Sequence, residues 1–331
     1  MQSALKHEFN KTAAAAYEAF PGKLERLVVL VVPTEDTPVY VSPAVAEELS
    51  RNVGDVKKFI AGLSADMQRR GWAGLANRYE SIAQTSINMV ALNEIFLQNF
   101  YHGREREMWS FLVLDHELGH HVTEKGMSMM LHRSVCECSA EAYAALRHIQ
   151  RFGKGTPFLS AEMNRVAYSI VLRADSTHYT SETIARAMQV AEDMDISGLS
   201  LPETAVLAQK IADETTMGEG VLEKIRCAYK PVQYAYFYRI GDFSTVVGKL
   251  YARDPDAYAL FCRETLAVMR GWASDADVFK AGKRFLSYPP IAAFMQEQAK
   301  TDAFYKDALD FLKKAQNRGT GVPARPFKKS F

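Results

Sequence analysis

Five residues, His116-Glu117-Leu118-Gly119-His120, constrain this chain more than any other stretch. On an α-helix, residues four apart share a face. The imidazoles of His116 and His120 can therefore reach one ion about 2.0–2.1 Å from their nitrogens. Glu117 is turned by about 100° from His116, so its carboxylate stands beside such an ion rather than on it. From there it can take a proton from a zinc-bound water, whose pKa falls from about 15.7 to about 7. The pattern implies zinc-assisted hydrolysis with one Zn²⁺ per chain.

The plain alternative is a solvated helix face that happens to carry two histidines and a glutamate. The setting argues against it. Phe111, Leu112, Val113 and Leu114 precede the five residues, and Leu118 and Val122 continue an apolar stripe. A helix this apolar packs inside, where unpaired imidazoles and carboxylates are costly. Gly119 in mid-helix costs about 1 kcal/mol relative to Ala, which implies a neighbour that needs backbone room.

A zinc hydrolase takes three protein ligands and leaves a fourth position for water. The segment 134–148 reads as a second helix, with Ser134 as its cap and Ala140, Ala142, Ala144, Ala145 and Leu146 as strong helix formers. Glu137 and Glu141 share a face of it. One can bind the metal while the other hydrogen-bonds a ligating histidine. Cys136 and Cys138 would diverge by about 200° on the same helix, which suits small buried residues better than a cysteine metal site.

These two helices resemble those of the gluzincin metallopeptidases. The stretch from His116 to Glu124 is similar to the thermolysin-type first helix. Glu137-Cys-Ser-Ala-Glu141 is similar to the second, with Glu141 where the family usually has Asp or Asn. The following Ala-Tyr-Ala-Ala resembles the CAAX-prenyl-endopeptidase type and bacterial regulatory peptidases that cleave repressors. The resemblance spans about residues 86–150. It implies His116, His120 and Glu137 as zinc ligands, Glu117 as the base and Glu141 as the partner of a ligating histidine. With Glu141 as ligand instead, nothing acidic would follow four residues later. Gluzincins also draw an oxyanion donor from downstream, and His178 and Tyr179, in a loop between two predicted helices, are candidates. Their plain alternative is packing at a helix start capped by Thr180 or Ser181. The family places an edge strand before the metal helix to hold an extended peptide. Residues 87–97 fit that position, or equally a core strand.

Composition sets the remaining bounds. Hydrophobic residues make up 48% of 331, enough for a large core. Lys and Arg number 40 against 39 Asp and Glu, so no global field favours a nucleic-acid partner. Residues 1–10 lack the apolar core of a signal peptide, and no apolar run approaches the roughly 18 residues a membrane span needs. Four cysteines form no disulfide framework. A cytoplasmic location is the default, and export without a signal peptide is compatible with it.

Periodicity predicts helices over 3–20, from Pro43, over 54–70, and near 160–174, 181–194, 202–214, 219–240, 256–271 and 301–316. Leu27–Val32 and Val39–Val41 read as strands. His121 falls off the metal face. His148 lies near the face of Glu141 but about two turns along the helix, where it suits helix-end capping or substrate contact. Tyr234, Tyr236, Phe237 and Tyr238 form an aromatic cluster that suits a pocket or a core helix. The expected fold is α+β. A zincin-like catalytic domain with a small mixed sheet occupies 1–155, a helical domain over 156–316 forms the other wall of a cleft, and 317–331 is a flexible basic tail. The expected activity is that of a soluble zinc metallopeptidase acting on a protein or peptide. The rivals are a single-target regulatory or effector protease, and a catalytically silent zinc protein serving as an interaction module.

Overall fold

The apolar, β-branched run Leu27–Val32 forms β1, and all six of its residues are buried. It belongs to a computed structural model that describes residues 3–32, 38–51, 53–80, 86–95, 103–125, 133–154, 158–159, 162, 176–218, 220, 222–223, 243–270 and 286–318. Among these residues the protein is mostly helical with one small mixed sheet, broadly an α+β arrangement. The chain divides into two compact units. The first comprises Met1–Phe158 and Glu182–Thr216, the second Leu159–Ser181 and Met217–Phe331. The division is discontinuous in sequence, where a single boundary near residue 155 was expected.

In the first unit, α1 (Ser3–Ala19) leads into β1, and β2 (Tyr40–Val41) returns antiparallel to it. The helices α2 (Pro43–Arg51) and α3 (Val53–Arg70) follow, then β3 (Gly74–Glu80) and β4 (Ser86–Asn93). The strand order is β2-β1-β4-β3. β4 runs parallel to β1 on one side and antiparallel to β3 on the other. Side chains alternate across the pleat, so each strand serves two faces. Val28, Leu30, Met89 and Ala91 pack with Ile60, Leu63 and Met67 of α3. The other face is covered by α4 (Gly103–Val122), which packs across β3 and β4. Next to α4 lies α5 (Arg133–Phe152), and beyond it α7 (Leu201–Thr215), with α6 (Ser181–Asp193) in the same unit.

Both α6 and α7 were expected in a separate helical half. Polar side chains join them to the first unit, and on α6 Arg186 Nε donates to Glu214 Oε2 of α7 at 3.0 Å. Gln209 Oε1 on α7 accepts from the Lys125 amide at 2.9 Å and from Ser139 Oγ at 3.3 Å. Gln150 Nε2 donates to the Ile196 carbonyl at 2.9 Å and to Thr204 Oγ1 at 3.1 Å.

In the second unit the described elements are the short 3₁₀ turn Ser176–His178, α8 (Phe243–Arg253), α9 (Pro255–Arg270), α10 (Pro289–Gln298) and α11 (Ala303–Arg318). Tyr258, Phe261, Ile291, Met295, Tyr305 and Leu312 form the centre of its core. The expected helices near 160–174 and 219–240, the aromatic cluster at 234–238 and the tail from 319 onward lie outside the described residues. No described helix is long and apolar enough to cross a membrane.

Candidate metal centre

α4 and α5 lie against each other, and two contacts fix how. At Gly119 a Cβ would stand 2.9 Å from Ala140 Cα and 3.0 Å from its carbonyl oxygen. The backbones approach so closely there that no side chain fits, which is the room that the mid-helix glycine implied. On another part of the pair, Arg151 Nη1 donates to the buried Asp115 Oδ2 at 2.8 Å, with its guanidinium 3.9 Å from the centre of the Phe111 ring. α4 is also tied to the sheet, because His121 Nε2 lies 3.2 Å from the Met89 carbonyl of β4. That contact gives His121 the packing role its position off the metal face suggested.

With the helices so held, His116, His120 and Glu137 converge. His116 Nε2 lies 3.2 Å from His120 Nε2 and 3.3 Å from Glu137 Oε2, and the third edge, His120 to Glu137, is 3.7 Å. Bonds of 2.0–2.1 Å at tetrahedral angles would set ligand atoms about 3.3–3.4 Å apart. The three edges bracket that value, so the donor set fits one metal ion. The opposite nitrogen of His116, Nδ1, donates to Glu141 Oε2 at 3.0 Å. This orients the ring and leaves Nε2 as the nitrogen that faces the cluster.

Electrostatics favour a cation here. Burial pulls the His116 pKa down, but hydrogen bonds to Glu137 and Glu141 and the fields of Glu141 and Glu117 outweigh it and hold the pKa well above the usual histidine value. The positive charge on His116 is thus held by carboxylates, and a metal ion answers the same field with more charge.

Glu117 is 7% exposed and faces the sheet. Its neighbour is Gly74, at the start of β3. A Cβ on Gly74 would overlap Glu117 Oε1, and would stand 2.6 Å from Val113 Cγ1 and 2.9 Å from Glu117 Cδ. Nothing in the sequence reading singled out Gly74. The available signal was a glycine inside a strand, which marks close approach of another group.

His178 and Tyr179 belong to the second unit, whereas the triad belongs to the first. His178 is exposed, with Nδ1 3.1 Å from Thr177 Oγ1, and Tyr179 packs into the core of its own unit. Cys136 and Cys138 are buried thiols, and burial pushes the Cys138 pKa up, as suits small core residues. His148 is buried against Phe152 and Phe158, stacked on the latter at 4.9 Å. Of the two readings of residues 87–97, edge strand or core strand, the described part takes the second. β4 is hydrogen-bonded on both sides, so its backbone has no free edge for a peptide, and β3 is the outermost strand on that side.

No family model, curated protein or solved structure matches this chain. The gluzincin resemblance therefore rests on the sequence motifs alone.

Proposed function

We propose that the first unit is a zincin-like catalytic domain and that the protein is a zinc-dependent metallopeptidase of gluzincin type. The observation that carries this reading is the juxtaposition of a tetrahedral-sized His116/His120/Glu137 triad with a carboxylate, Glu117, on the same helix but off the ligand face. A bound zinc ion supplies Lewis acidity and brings the pKa of a water to about 7. His116, His120 and Glu137 hold the ion, and Glu141 keeps the His116 ring in register through Nδ1. Glu117 takes the proton from the attacking water and gives it to the departing amine, the dual role of a single general base and acid. A structural zinc site needs no such base and tends to close its fourth position with protein, which favours catalysis over a silent interaction module.

The test is a cell lysate incubated with the protein or with its Glu117→Gln form, followed by proteomic detection of new N-termini. The amide preserves size but cannot accept a proton. Zinc content should match the parent while cleavage falls by about 10²–10⁴-fold. New termini appearing equally with both proteins would remove Glu117 from the mechanism. A protein that holds no metal would end the whole reading.

A further inference from the structure

We infer that Gly74 is a positioning residue for Glu117: its missing side chain forms the slot on β3 that holds the Glu117 carboxylate in place. This inference rests on the proposed role of Glu117 as base. Glycine is needed at 74 for space and not for backbone freedom, because Gly71 and Gly153, not Gly74, are the described glycines with positive φ. The slot has two walls on α4. Val113 and Glu117 are four residues apart, so they share a face, and a Cβ at position 74 would meet Val113 Cγ1 at 2.6 Å and Glu117 Cδ at 2.9 Å.

Neither backbone is free to retreat. The start of β3 is pinned to the end of β4, because the Asn93 amide donates to the Ala73 carbonyl at 2.8 Å and Asn93 Nδ2 to the Trp72 carbonyl at 3.0 Å. Gly74 itself pairs with Leu92. α4 is held from behind by the Gly119–Ala140 contact and from the sheet by His121. A methyl group at position 74 requires Val113 Cγ1 to turn aside as well as the end of the Glu117 side chain to swing away, and the longer, unbranched Glu117 chain is the one that moves most readily. Gly74→Ala would displace the carboxylate and leave the metal ligands where they are.

The experiment compares crystal structures, zinc contents and lysate cleavage of zinc-loaded parent, Gly74→Ala, Glu117→Gln and the Gly74→Ala/Glu117→Gln pair. Gly74→Ala should retain zinc, show Glu117 swung out of the slot with His116, His120 and Glu137 unmoved, and cleave the parent's targets at least tenfold more slowly. Added to Glu117→Gln, it should slow cleavage no further, which a general structural defect would not reproduce. A Glu117 carboxylate still in place with β3 shifted away, or parental cleavage despite a displaced carboxylate, would overturn the inference. If the parent itself cleaves nothing, the hydrolytic reading fails, while the position of Glu117 in the Gly74→Ala crystal still decides the slot. Should Gly74→Ala not fold, Gly74→Ala/Glu117→Ala removes the overlapping carboxylate. That double variant should then fold with a measurable thermal midpoint, and its failure to fold would mean that Val113 rather than the Glu117 carboxylate bars the methyl, which would overturn the inference.

Discussion

Glu137 and Glu141 differ in what they touch, and mutation should separate them. Glu137 Oε2 faces both imidazoles, whereas Glu141 reaches the far nitrogen of His116. Glu137→Ala should lose zinc as completely as His116→Ala or His120→Ala. Glu141→Ala should weaken zinc binding by about 10–100-fold, the usual effect of losing a carboxylate behind a ligating histidine. Competitive titration with a chelating dye measures both, and the opposite order would exchange their roles. His148 offers a second residue-scale test. Burial first, and then the neighbouring Arg151, lower its pKa from 6.5 to about 4. The folded state thus keeps His148 neutral where the unfolded chain protonates it. Its contribution to stability is complete above about pH 6.5 and is lost as the pH falls toward about 4. In metal-free protein, His148→Leu should show a shallower loss of thermal midpoint than the parent across that window. Parallel curves would mean that His148 is protonated alike in both states.

At the scale of elements, the site depends on how closely α4 and α5 approach. Gly119→Ala would set a methyl group 2.9 Å from the Ala140 backbone, which cannot give way as a side-chain tip could. Helix propensity alone would reward alanine by about 1 kcal/mol. Overpacking a well-filled contact costs about 1–3 kcal/mol, so the net effect should be destabilising despite the better helix former. Parting the helices also separates His116 and His120 from Glu137, so zinc affinity should fall in the same variant. Thermal unfolding and zinc titration of Gly119→Ala check both, and a rise in midpoint with unchanged affinity would show that the helices have slack. The helices themselves were legible in sequence, as was the need for room at Gly119, because apolar periodicity and mid-helix glycine are local signals. β3 was not. Gly74-Leu-Ala-Asn-Arg-Tyr-Glu80 lacks the β-branched residues that mark a strand, and it forms through its ladder with β4.

For the whole molecule, metal binding should act on one unit. The three proposed ligands and Glu141 all lie in the first unit, so zinc at about 1,000 times its dissociation constant should stabilise that unit by about 4 kcal/mol. Chelation should therefore accelerate hydrogen exchange in α4 and α5 while leaving α9 and α11 unchanged, as mass spectrometry of the peptides would record. Equal acceleration in both units would mean that they unfold as one. The sequence by itself determined the helices of the triad, the buried strand Leu27–Val32 and the pairing of two histidines on one face, since each depends on residues within a few positions of one another. Tertiary structure decided the rest. It assigned Glu137 to the cluster and Glu141 to the far side of His116, placed β4 inside the sheet, and brought Gly74 against Glu117. It also drew α7 against α5 through partners such as Gln209 and Ser139. Those outcomes turn on contacts between residues far apart in the chain, and periodicity carries no record of which distant partner a side chain will meet.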